Sequence, residues 1–327
     1  MHCSHDTRHL DSPGVPYLAI LVGSFASCFL SACALDAGIG EPPPSADIDV
    51  TLTPVREFGG GAGALMTPDG ERQQLGYAAA VAASSGFVFV VDSASSSLVR
   101  LDFARGQSQP LKYLEDATTA GMYVTTDLIV YVVDRTNRSV LELSESGWQR
   151  RVFSDTRLIP APVDVTETNW GSTVLIADEL TQRLVTFDSM SNPTGMLAST
   201  LSPVTVAASI VAIAATDSAV FVLDAASREV TQLDLYGRLV ATYGEDALLV
   251  PVAMAVDECQ RVFVADGHSD GLFVSSPESY GASSRAALPQ EIAMAVTDLW
   301  IDSNELFVAA GTFGVQVLSI DPACFAP

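Results

Sequence analysis

Val88-Phe89-Val90-Val91-Asp92 is a run of large apolar residues closed by an aspartate, and the chain repeats it. The copies are Val130-Tyr131-Val132-Val133-Asp134, Val174-Leu175-Ile176-Ala177-Asp178, Val220-Phe221-Val222-Leu223-Asp224 and Val262-Phe263-Val264-Ala265-Asp266. A sixth, Leu306-Phe307-Val308-Ala309-Ala310, has lost the aspartate. The closing positions are separated by 42, 44, 46, 42 and 44 residues. Working outward, a more weakly apolar stretch precedes the run, as in Pro251-Val252-Ala253-Met254-Ala255-Val256. An alternating stretch follows it, as in Arg183-Leu184-Val185-Thr186-Phe187-Asp188 or Glu229-Val230-Thr231-Gln232-Leu233-Asp234. A fourth comes next, as in Gly237-Arg238-Leu239-Val240-Ala241-Thr242-Tyr243-Gly244. Alternation at period two marks strands with one face buried. Several short strands repeating every 40 to 50 residues or so are the signature of a propeller. The pattern predicts an all-β fold, a six-bladed β-propeller with four-stranded antiparallel blades.

The two ends of the repeat complete each other. The sixth unit supplies three strands before the chain stops at Pro327, while Thr53-Pro54-Val55-Arg56-Glu57-Phe58-Gly59-Gly60 reads as an outer strand without partners. The N-terminal strand is therefore expected to complete the last blade, which removes the two edges an open array would expose. The propeller is expected over residues 51–327.

The units resemble NHL repeats, in which a strand ending in Asp is followed by a turn of the Asn-Arg kind and an alternating strand. Asp134-Arg135-Thr136-Asn137-Arg138-Ser139-Val140 matches best. Arg183 and Arg228 keep the arginine, and the turns after Asp92 and Asp266 keep little beyond the aspartate. The resemblance covers roughly residues 53–322 and speaks to fold, since one superfold hosts many activities.

The first fifty residues read differently. Residues 17–30 are uncharged and apolar, shorter than the roughly 20 residues a spanning helix needs and of the length of a signal-peptide core. Leu30-Ser31-Ala32-Cys33 follows at its end and resembles the bacterial lipobox, whose cysteine is lipidated and becomes the new N-terminus. The resemblance implies a signal peptide over 1–32, a lipid on Cys33 and attachment to a bacterial cell envelope. Ala34 in place of the retention aspartate implies the outer membrane. Residues 33–50, with Pro42, Pro43 and Pro44, read as an extended tether.

Composition limits the partners. Acidic residues outnumber basic ones 39 to 16, the net charge is −23, and Lys112 is the single lysine. Nucleic acid is excluded as a partner, because binding it needs a basic surface. The membrane is expected to be met through the lipid rather than through a basic patch. Cys3 and Cys28 lie in the signal segment and Cys33 takes the lipid, which leaves Cys259 and Cys324 as an even pair in an exported chain, where disulfides persist.

Candidate chemistry is sparse. Asp92, Asp134, Asp178, Asp224 and Asp266 are expected to cap the turns that follow them. Only His268 remains outside the first nine residues, which removes most histidine-based catalysis. Inner strands are read as mostly Ala, Val, Ile and Met, with Asp164 their clearest carboxylate and Asn169 in the turn after it, too few groups for a calcium site. No catalytic residue, metal ligand or cofactor is named. The turns carrying Arg135, Asn137, Arg138, Glu179, Gln182, Arg183, Arg228 and His268 form a possible binding face. The leading expectation is a non-catalytic propeller that binds or scaffolds a protein, peptide or glycan. The alternative is a cation-dependent, lactonase-like hydrolase or lyase. Three or more oxygen-bearing side chains converging on the channel would favour the alternative.

Overall fold

A computed structural model describes residues 50–324, apart from 60–64, 68–69, 71, 103, 115–120, 169–172, 199–208, 245 and 277–282. The expected signal segment, Cys33 and nearly all of the tether lie outside the described residues, as does Asn169. β1 (Thr51–Gly59) comes first, followed by two short strands, β2 (Leu65–Met66) and β3 (Arg72–Gln73). Blade 1 is β4 (Ala78–Ser84), β5 (Phe87–Asp92), β6 (Ser97–Asp102) and β7 (Gln107–Tyr113). Blade 2 is β8 (Met122–Val124), β9 (Val130–Asp134), β10 (Ser139–Leu143) and β11 (Gln149–Phe153). Blade 3 is β12 (Pro162–Thr168), β13 (Thr173–Asp178), β14 (Arg183–Phe187) and β15 (Pro193–Ala198). Blade 4 is β16 (Ile210–Ala215), β17 (Ala219–Asp224), β18 (Glu229–Asp234) and β19 (Leu239–Tyr243). Blade 5 is β20 (Pro251–Val256), β21 (Val262–Asp266), β22 (Gly271–Ser275) and β23 (Ser283–Ala287). A helical turn, α1 (Gln290–Ala293), leads into blade 6, which is β24 (Asp298–Asp302), β25 (Glu305–Ala309) and β26 (Gly314–Asp321).

Blade 6 is completed by β1, which pairs antiparallel with β26 from Thr51 opposite Asp321 to Gly59 opposite Gly314. The molecule is thus a six-bladed β-propeller closed by its N-terminal strand. Beyond the repeat, β2 and β3 form a small ladder on the outer edge of blade 1, with Met66 opposite Gln107 of β7. No period in the sequence marked this addition.

The repeated apolar run is continuous because both faces of the second strand are buried. Six apolar clusters hold the ring, one between each pair of adjacent blades. Phe89 packs forward against Val130 and Val132 of blade 2, while Val88 and Val90 pack backward against Phe307 and Ala309 of blade 6. Phe221, Phe263 and Phe307 repeat the forward contact from blades 4, 5 and 6, with Tyr131 and Leu175 in blades 2 and 3. Each such side chain contributes about 2 to 3 kcal/mol by leaving water.

The closing aspartates do more than cap a turn. Asp92 accepts from the N–H groups of Gly76 (3.1 Å) and Tyr77 (2.9 Å), ahead of its own inner strand, and of Ala94 (3.1 Å) in the turn. Asp224 ties Ser209 to Ala226 in the same way, and Asp266 ties Leu249 and Val250 to His268. Asp134 accepts from the backbone and the amide of Asn137. Blade 6 has Ala310 at this position. Its inner strand is preceded by α1, whose turn already satisfies the N–H groups of Met294 and Ala295, the register equivalents of Gly76 and Tyr77. The Thr297 hydroxyl bridges Ala309 and Ala78 instead.

Candidate functional site

The inner strands converge on a channel. It opens into a cavity of about 530 Å³ at the face that carries the turns between first and second strands. That size suits a small organic ligand. Every blade contributes to the wall, and among the described residues no lysine, arginine or histidine does. Asp164 and Glu167 come from β12, and Asp298 and Asp302 from β24. Asp217, Asp257 and Glu258 follow β16 and β20. Of these, Asp257 is neutralised by Arg261, which lies 2.6 Å away.

Small residues on blade 1 give the cavity its aromatic wall. Ala78 to Ala83 keep β4 slim, so Trp300 of blade 6 reaches across to Tyr123 of blade 2. Their rings meet edge to face at 5.3 Å, and the Trp300 indole N–H donates to the Ala83 carbonyl at 2.8 Å.

Two aspartates floor the cavity. Asp164 accepts from its neighbour Val165 (2.8 Å) and from Ile213 of blade 4 (2.7 Å). Asp298 does the same with Leu299 (2.8 Å) and Val81 of blade 1 (2.9 Å). Desolvation pushes the Asp164 carboxyl up to about 7 against the two hydrogen bonds that hold it down. Burial, reinforced by the charge of Asp164, raises Asp298 well above the usual carboxylate range. Burial also raises Glu167, helped by Glu142 and Asp127. Glu167 and Asp217 add to the burial that lifts the Tyr123 phenol to about 12.

Gly121 makes room for this floor. A Cβ there falls 1.9 Å from Asp164 Oδ1 and 2.8 Å from its Cα. Gly121→Ala is expected to displace the carboxylate and to cost about 2 to 3 kcal/mol through overpacking. Urea unfolding checks this, and a midpoint equal to wild type would refute it.

The sequence-derived binding face lies at the other end of the channel. Arg135 pairs with Glu179 across blades 2 and 3 at 2.7 Å. Asn137 holds Asp134. Arg138, Gln182 and Arg228 take left-handed backbone conformations in their turns. Arg183 buries its Nε, and His268 donates its backbone N–H to Asp266. None of them lines the channel-mouth cavity. Cys259 and Cys324 are bonded to one another on the cavity face, with Cα atoms 5.6 Å apart.

The inner strands are mostly small and apolar as expected, but the cavity draws carboxylates from more of them, and from the turns after them, than Asp164 alone. Asp164 was legible, whereas Asp298, Asp302 and Trp300 were not. Their signal was Asp298-Leu299-Trp300-Ile301-Asp302, directly ahead of the sixth apolar run.

No protein-family model matches the chain, and no curated protein is significantly similar to it. Solved structures share its fold at low identity. Virginiamycin B lyase from Staphylococcus aureus aligns with a TM-score of 0.62 at 10% identity, over 83% of this chain and 99% of that one. A gluconolactonase from Xanthomonas campestris aligns at 0.58 and 11%, over 84% and 98%. A protein of unknown function from Bacteroides thetaiotaomicron aligns at 0.65 and 13%, over 84% and 77%. These likenesses place the chain among six-bladed β-propellers and carry no activity to it.

Proposed function

We propose that this chain is a non-catalytic binding propeller that captures an organic cation, an amine or guanidinium group, in the cavity at its channel mouth. The cation is either a free small molecule or the side chain of a basic peptide. The observation that carries this reading is the wall itself. Among the described residues it has no basic side chain, it carries Glu167, Asp217, Glu258 and Asp302 beyond the buried Asp164 and Asp298 and the Arg261-paired Asp257, and it holds the Tyr123–Trp300 ring pair. Carboxylates attract a cation electrostatically, and an aromatic face adds cation–π energy where water is excluded.

The hydrolase or lyase reading draws on the same carboxylates and on the raised Asp164. Both Asp164 oxygens already receive backbone N–H groups, which suits a structural acceptor better than a free base. Among the described residues, the one carboxylate–thiol trio within 4.8 Å is Asp257 with the bonded Cys259 and Cys324, rather than three channel carboxylates. The number of carboxyl groups reaching the channel favours the hydrolase or lyase reading, whereas the bonding of both Asp164 oxygens and the lack of a three-carboxylate cluster among the described residues favour binding.

The reading extends to an envelope lipoprotein of NHL-like repeats, lipidated at Cys33 and tethered through residues 33–50. In support, Leu30-Ser31-Ala32-Cys33 matches the lipobox at all four positions and follows an uncharged apolar core.

Calorimetric titration with alkylammonium and alkylguanidinium salts, and with a lysine-containing tripeptide, tests the proposal. Saturable one-to-one binding is expected, weakening with salt and falling about tenfold in Trp300→Ala and in Glu167→Gln. Tighter binding of the tripeptide would identify a peptide ligand. Equal binding of a neutral isostere, or no binding of any cation, would overturn it.

A further inference from the structure

Asp164 and Asp298 occupy the same register in opposite blades. Asp164 lies opposite Ala177, and Asp298 opposite Ala309. The equivalent residues elsewhere are Ala80, Gly121, Ala212 and Ala253. Each aspartate accepts the N–H that follows it on its own strand and the equivalent N–H on the next blade. Asp164 therefore links blade 3 to blade 4, and Asp298 links blade 6 to blade 1. The other four junctions have only a methyl group or a hydrogen at this place. The ring consists of two three-blade halves with one carboxylate at each junction between them.

We infer that Asp164 and Asp298 are a pair of proton-operated clasps that hold the two half-rings together and loosen the ring as both ionise. The inference stands whether or not the cavity binds a cation. Two carboxylates face one channel layer in a low-dielectric setting, and a charge on one opposes a charge on the other. Among the described residues no basic side chain lines the cavity beside them. Tyr123 and Glu167 flank Asp164, with Asp217 beyond its partner strand, and β16 itself carries no ionisable group. Around Asp298, β4 and β20 carry none, Asp302 lies on its own strand, and Asp257 with Arg261 and Glu258 lie past β20. A proton on either carboxyl removes the repulsion and leaves an oxygen to accept the cross-blade N–H.

The sign of the pH effect follows from linkage. Below the unfolded value of 3.8 both states hold the Asp164 proton, and between 3.8 and about 7 only the folded state holds it. Stability therefore falls as pH rises through that window, and the two clasps titrate as a coupled pair.

The test follows thermal unfolding from pH 5 to 8.5 in wild type, Asp164→Asn, Asp298→Asn and the double variant. Asparagine keeps an acceptor oxygen and cannot ionise. The melting temperature of wild type should fall with rising pH, each single variant should lose part of that slope, and the double variant most of it. An unchanged slope in the double variant would assign the effect to surface charge and overturn the inference. Amide exchange in wild type, corrected for intrinsic rates, provides a readout without mutation. Protection at Ile213 and Val81 should drop about tenfold from pH 6 to 8 relative to Val222. A uniform change, or infrared spectra with no protonated carboxyl at pH 6, would equally refute it.

Discussion

Asp178→Ala is expected to lower the stability of the folded state by about 4 kcal/mol. The side chain is wholly buried and receives three donors. The Ala161 N–H reaches it at 2.5 Å, the Thr181 N–H at 2.7 Å and the Thr181 hydroxyl at 2.8 Å. It thereby joins the start of the inner strand to the turn after the second strand. Removing it leaves two backbone donors without their acceptor in a site closed to water, each a loss of about 1 to 3 kcal/mol. Asp178→Asn should cost about half as much, because its oxygen still serves the turn while its amide N–H₂ opposes Ala161. Blade 6 shows the condition under which the aspartate is dispensable. There the α1 turn has already bonded the two donors ahead of the inner strand that an aspartate would hold, so Ala310→Asp should destabilise rather than help. Urea unfolding with paired spectroscopic probes measures all three. An Asp178→Ala midpoint within error of wild type would remove the aspartates from the explanation of the fold.

Reducing the Cys259–Cys324 bond, or replacing Cys324 with serine, is expected to cost about 4 kcal/mol in the chain-entropy model for a separation of 65 residues. The bond fixes the tail after β26 to the turn of blade 5. The same tail is held by Arg261, whose guanidinium donates to the Pro322 carbonyl at 2.7 Å, and by Asn304, which accepts from the Cys324 N–H at 3.1 Å. Since β1 pairs with β26, the bond secures the strand on which closure depends. Loss should therefore appear first as faster amide exchange in β1 and β26, with blades 2 and 3 unchanged. Uniform acceleration across all blades would show that the bond stabilises the ring without guarding its closure.

The parts of the fold legible in the sequence are those that repeat. Val-Phe-Val-Val-Asp and its copies are constrained alike, because each second strand packs against a blade on both sides. The unpartnered segment near Thr53 was readable because the sixth unit visibly lacked a strand. Features that occur once were hidden. The β2–β3 ladder has no copy, and Trp300 meets Tyr123 only because β4, far away in sequence, is slim. The carboxylates of the cavity arrive from several blades, so no local motif announces them. Asp164 and Asp298 are 134 positions apart, and their equivalence appears only when the strands are set in register.

The most direct measurement is a crystal structure of the protein grown in a saturating alkylguanidinium salt. The cation should lie in the channel-mouth cavity, against the Tyr123–Trp300 rings and within reach of the Glu167 or Asp302 carboxylate. A cation seated instead among the arginine-bearing turns at the opposite face, or a cavity holding only water at saturation, would contradict the proposed site.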